Sequence, residues 1–293
     1  MSCAIVSGIE RPFRVPPEKH RAVRGHAPYI SRLRANLSKL AAGLKKRTPP
    51  MSGPNLLQMG VRMIQLFHVS RVFPGDYAAL SDVSFAVSRG EFVFLTGPSG
   101  AGKTTLLRLM ICADRPTQGQ ILVDGCNVSH LTRSSIPALR RKIGVVFQDF
   151  KLLPRATVSE NVALALQVAG IHGYERERRV RRVLGQVGLE HRAAALPPQL
   201  SGGEQQRAVV ARALVPDPLV LLADEPTGNL DPAMTIQIMD LLCAANARGV
   251  TVLVATHDPL LLSRYRKRVL HLDRGHLVKD TEAVSAPLRA AQA

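Results

Sequence analysis

Nine consecutive residues, Gly97, Pro98, Ser99, Gly100, Ala101, Gly102, Lys103, Thr104 and Thr105, set three glycines beside one lysine and three hydroxyls. The spacing is G-x-x-x-x-G-K-[ST], and each position has a mechanical reason. Glycines let backbone N–H groups curl inward around phosphate oxygens where side chains would block the approach. Lys103 can then reach β- and γ-phosphates, and the Thr104 hydroxyl can ligate Mg²⁺. A helix beginning there turns its positive dipole end toward the anion. A second candidate is the acidic pair Asp224-Glu225, which ends the apolar run Leu219-Val220-Leu221-Leu222-Ala223. A carboxylate at the C-terminal end of a buried strand faces the crevice where ligands lie in α/β sheets. Asp224 is then placed to hold Mg²⁺ through water. Glu225 is placed to take a proton from the water that attacks a γ-phosphate.

Elements must position these groups. Phe92-Val93-Phe94-Leu95 before the glycine loop and Leu106-Leu107-Arg108-Leu109-Met110 after it predict strand, loop, helix. Residues 63 to 95 hold three strand-like runs, 63 to 69, 79 to 87 and 91 to 95, broken by Pro74-Gly75-Asp76 and Arg89-Gly90. They suggest an antiparallel piece ahead of the loop. Further strands are expected at 120 to 123 and 142 to 147, with a partly helical stretch at 131 to 141. Thr157-Val158-Ser159-Glu160 fits a capping box opening a helix, and a second, arginine-rich helix covers 175 to 184. We expect a solvated face for Arg176, Arg178, Arg179, Arg181 and Arg182. The continuous apolar runs at 219 to 223 and 250 to 255, with a helix at 236 to 245 between them, predict a parallel sheet buried on both faces. Asp273-Arg274-Gly275 is a turn between the last two strands, 268 to 272 and 276 to 278.

The formal net charge is +17, but it is unevenly spread. Residues 1 to 62 hold twelve Lys and Arg against Glu10 and Glu18, a net of +10, which leaves +7 for the other 231 residues. This basic, proline-rich extension is expected to be disordered or not natively translated, with translation starting at Met63. It carries one short amphipathic stripe, Ile30, Leu33, Leu37, Leu40 and Leu44. No apolar run approaches the roughly 18 residues of a membrane-spanning helix. Cys3, Cys112, Cys126 and Cys243 form no C-x-x-C pair, so neither zinc nor a disulfide framework is suggested, and buried apolar packing is expected. Residues 280 to 293 are expected to form a flexible tail.

Three more pieces carry a resemblance: Leu200-Ser201-Gly202-Gly203-Glu204-Gln205-Gln206-Arg207 before the acidic strand, Gln148 after the strand at 142 to 147, and His257 in Ala-Thr-His-Asp. With the glycine loop and Asp224-Glu225, their order and spacing resemble the ABC ATPases over residues 63 to 279. The resemblance implies an α/β fold, a P-loop NTPase of the ABC ATPase cassette type. Such a cassette has an antiparallel β subdomain and an inserted α-helical subdomain, here at about 150 to 200. It implies that the loop residues and Lys103 hold ATP, and that Thr104, Gln148 and Asp224 serve Mg²⁺. Gln148 would also sense the γ-phosphate, Glu225 would be the general base, and His257 would contact the γ-phosphate. Ser201, Gly202 and Gly203 would close over the nucleotide of a second subunit, and Asp231 would communicate across that interface. A homodimer with two composite sites follows. Phe73 matches the position of the adenine-stacking ring, with Tyr77 as a fallback.

Within the family, residues 63 to 70, 94 to 103, 147 to 154 and 202 to 207 resemble the FtsE type of cell-division ATPase, Asp149-Phe150 after the glutamine being the most telling pair. That resemblance implies an integral membrane partner of the FtsX type, docked near residues 148 to 153 and the helical insert. It further implies a peripheral place on the cytoplasmic side of the inner membrane, reached through that partner. Dimer closure would then regulate cell-wall hydrolysis. An ATPase of the lipoprotein-releasing or macrolide exporter type shares residues 222 to 231. No specific nucleic-acid partner is expected, because neither a second cassette nor a coiled-coil or zinc insertion is present.

Overall fold

A computed structural model describes residues 62–281. The amphipathic stripe, Cys3 and all but one residue of the basic extension therefore lie outside the described residues.

The chain opens with β1 (Arg62–Phe73) and β2 (Tyr77–Ser88), an antiparallel pair, then enters β3 (Phe92–Thr96). The glycine loop leads into α1 (Lys103–Met110), followed by β4 (Gln118–Val123), β5 (Cys126–Asn127) and the short helix α2 (Ile136–Arg140). After β6 (Ile143–Val146) come α3 (Val158–Val168), α4 (Gly173–Gln186) and α5 (Gly202–Leu214). The chain closes with β7 (Val220–Asp224), α6 (Pro232–Ala247), β8 (Thr251–Ala255), α7 (Pro259–Tyr265), β9 (Arg268–Asp273) and β10 (His276–Thr281).

Two sheets result. The smaller is antiparallel, in the order β2-β1-β4-β5, and the larger runs β10-β9-β3-β8-β7-β6. In the larger, β3 pairs in parallel with both β8 and β9, and β7 with β6 and β8. This corrects the expectation for residues 91 to 95. They join the parallel sheet at its centre, not the antiparallel piece, which instead recruits β4 and β5 from beyond the loop. All five residues of β3 are buried, as a strand covered on both faces requires.

Alternation along the central strands divides the core. Phe92, Phe94, Leu221, Ala223, Val252 and Val254 point to one side, where α3, α4, α5 and α6 pack. Val93, Leu95, Val220, Leu222, Leu253 and Ala255 point to the other, against α1 and the antiparallel sheet. The central sheet is thus the middle layer of three.

Local signals explain the helix starts. Thr157 accepts from Glu160 N–H while the Glu160 carboxylate reaches back to Thr157 N–H, the expected capping box. Ser201 and Glu204 repeat the device at α5, and the Ser201 N–H holds the Glu204 carboxyl below the usual carboxylate range. On α4, Arg178, Arg181 and Arg182 are exposed, while Arg176 and Arg179 are half-buried. Arg178 and Arg179 pair with Glu175, so most of the row is a solvated face. The β9–β10 turn places Arg274 at φ 46° and Gly275 at φ 81°, the geometry a two-residue hairpin needs. The last strand continues to Thr281, two residues into the stretch expected as tail. Cys112, Cys126 and Cys243 are free and half-buried rather than fully enclosed.

Candidate nucleotide-binding site

At the C-terminal end of β3 the chain turns through residues 97 to 102. Two glycines there are obligatory. A Cβ on Gly97, at φ 144°, would sit 2.1 Å from the Leu272 carbonyl oxygen, and one on Gly102, at φ 104°, would sit 2.5 Å from that of Ala79. Gly102 caps α1 without a side-chain acceptor, and Leu106 N–H makes the helix's first bond, to Gly102 O at 2.9 Å. The earlier N–H groups, at Lys103, Thr104 and Thr105, have no intrahelical acceptor and are free for an anion. Lys103 is buried and folds back on the loop, its Nζ donating to Gly97 O at 2.8 Å and Pro98 O at 3.1 Å. Those bonds hold the ammonium where a phosphate can replace the carbonyls.

A cavity of about 430 Å³ opens over this loop. Pro98, Ser99, Gly100, Gly102, Lys103, Thr104 and Thr105 line it, with Gln148 from beyond β6, Asp224 and Glu225 from the end of β7, and His257 from beyond β8. All these groups leave the same edge of the parallel sheet, which is why residues 160 apart in sequence converge. Gly97 and Ala101 are buried beneath the loop and shape it from behind. Ala79, marked by no motif, also lines the wall; its carbonyl packs on Gly102, a backbone contact that leaves no trace in sequence.

The acidic pair divides in character. Asp224 is buried, and that burial raises its carboxyl above the usual carboxylate range, opposed by a hydrogen bond from Thr104. Glu225 sits at φ 46°, a left-handed conformation uncommon for this residue, fixed by its N–H bond to Ala255 O at 2.9 Å. Its Oε1 meets His257 Nδ1 at 2.8 Å and stands 4.0 Å from Lys103 Nζ. An acceptor carboxylate, an oriented imidazole and an ammonium therefore face one volume. Thr104, Gln148 and Asp224 offer a hydroxyl, an amide oxygen and a carboxylate, the all-oxygen set that suits a hard divalent cation.

Five predicted positions lie elsewhere. Ser201, Gly202 and Gly203 form the turn that opens α5, and Asp231 caps α6 through Met234 N–H; none lines this cavity. Phe73 is also off the wall, its ring covered by the Arg71 guanidinium at 4.5 Å. Tyr77, its cross-strand partner, is on the wall and exposed. The fallback ring, rather than the spacing-matched one, borders the cavity.

The family model described as ABC transporter matches residues 80–228. The chain is 50% identical over 221 residues to the cell division ATP-binding protein FtsE of Mycobacterium tuberculosis, covering 75% of this chain and 96% of that protein. Its identity to FtsE of Escherichia coli is 50% over 215 residues, with 73% and 97% covered, and to FtsE of Bacillus subtilis 46% over 218 residues, with 74% and 96% covered. The chain belongs to the ABC transporter ATPases, in the FtsE group. Among solved structures, this FtsE-group cassette is similar to the dimeric ABC transporter cassette MJ0796, with a TM-score of 0.71 and 39% identity over 76% of this chain and all of that one. A post-hydrolysis dimer of the same protein, bound to ADP and phosphate, gives 0.70 and 37% over the same shares.

Proposed function

We propose that this chain is the ATP-binding and ATP-hydrolysing subunit of an FtsEX-type membrane complex acting in cell division. The observation that carries the hydrolytic part is the Glu225–His257 pair at 2.8 Å, aimed with Lys103 at the volume above the phosphate loop. In this reading the loop N–H groups and Lys103 bind the phosphates. Glu225 accepts the proton of the attacking water, while His257 orients that carboxylate and contacts the γ-phosphate. Thr104, Gln148 and Asp224 would hold Mg²⁺, which supplies neutralisation of the phosphate charge.

Ser201 and Gly202 are exposed at the start of α5 while Gly203 is buried beneath them, and this helix N-terminus, outside the cavity of their own loop, suits an anion belonging to a second copy. The similarity to dimeric cassettes supports a homodimer with two composite sites. Among the described residues no helix is long and apolar enough to cross a membrane. Membrane attachment would come through an FtsX-type partner, docked near Gln148 to Leu153 and the helical insert at the cytoplasmic face. The exporter reading rests on residues 222 to 231, which both types share, whereas identities of 46% to 50% to FtsE proteins favour the division role.

The test is Glu225→Gln. It should bind ATP as the parent does and hydrolyse it at least ~100-fold more slowly, the usual size of a lost general base. Solubilised from membranes with ATP and Mg²⁺, the trapped form should carry one integral membrane protein with division components. Recovery of exporter subunits would sink the division role, and undiminished hydrolysis would remove Glu225 from the chemistry.

A further inference from the structure

Arg212, near the end of α5, is half-buried, and its guanidinium meets backbone carbonyls rather than a carboxylate among the described residues. Its Nη1 donates to Lys151 O at 2.6 Å and its Nη2 to Phe150 O at 3.0 Å. A guanidinium stays charged at any working pH, so withdrawing it from water needs acceptors, and here two backbone carbonyls supply them. Both carbonyls belong to the segment that immediately follows Gln148. That segment lacks regular structure, and Lys151 holds φ at 49°, a left-handed value that persists only where surrounding contacts enforce it.

A second side chain pins the same segment further on. Asn161 of α3 is fully buried; its Oδ1 accepts from Leu153 N–H at 2.7 Å, and its Nδ2 donates to the Leu153, Ala156 and Thr157 carbonyls at 2.9 to 3.1 Å. The stretch after Gln148 is therefore bound to two helices, α3 within the insert and α5 just after it. One of them, α5, begins at the Ser201 turn and spans about 16 Å before reaching Arg212.

We infer that Arg212 is a positioning residue for hydrolysis: it fixes Gln148 relative to α5, so that the γ-phosphate end of the cavity and the Ser201 turn move as one body. The inference rests on the ATPase reading above. It makes Arg212 act through Gln148, without touching nucleotide.

The experiment compares steady-state ATP hydrolysis by the full chain and by Arg212→Met, Arg212→Lys, Gln148→Ala and the Arg212→Met/Gln148→Ala pair. Arg212→Met should lower kcat about tenfold while KM for ATP stays within about twofold. The pair should be no slower than Gln148→Ala alone, within about twofold, because residues acting in series do not add. Arg212→Lys should recover part of the loss, since an ammonium lacks the fork that meets two carbonyls at once. Losses that multiply in the pair, or a defect confined to KM, would overturn the inference.

A readout independent of turnover is tryptic cleavage of the Lys151–Leu152 bond without nucleotide, which should be faster in Arg212→Met than in the parent; an unchanged rate would overturn the clamp. If Arg212→Met does not accumulate folded, Arg212→Lys carries the same comparisons. A parent chain that hydrolyses no ATP would count against the ATPase reading, and the tryptic cut alone would then decide the clamp.

Discussion

We propose that the adenine platform is the ring that borders the cavity. Phe73 and Tyr77 flank the Pro74–Asp76 turn as cross-strand partners, and Arg71 already stacks on Phe73 at 4.5 Å, leaving Tyr77 on the cavity wall. A stacked ring is worth about 1 kcal/mol beyond its buried area, so Tyr77→Ala should weaken ATP binding ~5-fold in a nucleotide titration. Phe73→Ala should leave affinity within about twofold. The reverse pattern would return the platform to Phe73. Spacing alone could not choose between them, because a three-residue turn fixes pairing but not which ring is occupied by a neighbour. The glycine loop was legible for the opposite reason. The role proposed for it resides in backbone N–H groups, and the requirement for glycine at Gly97 and Gly102 is written directly in residue type. Arg212 was not legible at all, since bonds to main-chain carbonyls impose no pattern on the sequence that supplies them.

At the scale of elements, periodicity located the strands and helices but not their neighbours. The run before the glycine loop is strand-like wherever it pairs, and only burial on both faces shows it belongs beside β8 and β9. The two sheets are joined by Arg268, whose side chain is 15% exposed. Its Nε and Nη2 fork onto Asp280 at 2.7 and 2.6 Å, while Nη1 reaches Glu91 Oε1 and Ala86 O, both at 2.9 Å. One guanidinium thus ties β10 to the end of β2 and the start of β3. Removing it leaves Glu91 without its cation in a largely enclosed place. Arg268→Met should therefore cost ~2 kcal/mol in urea unfolding, below the 3–5 of a fully buried pair because Asp280 is partly solvated. Nucleotide affinity should stay unchanged, as Arg268 lies outside the cavity. An unaltered unfolding midpoint would reduce the network to a surface contact.

At the scale of the whole molecule, the described cassette holds one phosphate loop and one Ser201 turn, and the turn does not line the loop's cavity. If two copies must meet, each with its loop against the other's turn, two kinds of damage can complement. Lys103→Ala should silence the loop it belongs to, and Ser201→Arg should silence the turn by filling it with a large cation. Each variant alone forms dimers with both sites broken. In a mixed dimer one site combines the damaged loop with the damaged turn, but the other combines an intact loop with an intact turn. Random pairing makes half the dimers mixed, each with one sound site, so an equal mixture should recover about a quarter of parental hydrolysis, if sites act independently. Partly cooperative sites would recover less, and a site contained within one protomer would recover none at any ratio. Titrating the ratio separates the last two cases. Any recovered activity must peak at equal amounts and vanish toward either pure variant, a dependence that contamination by parental protein would not reproduce.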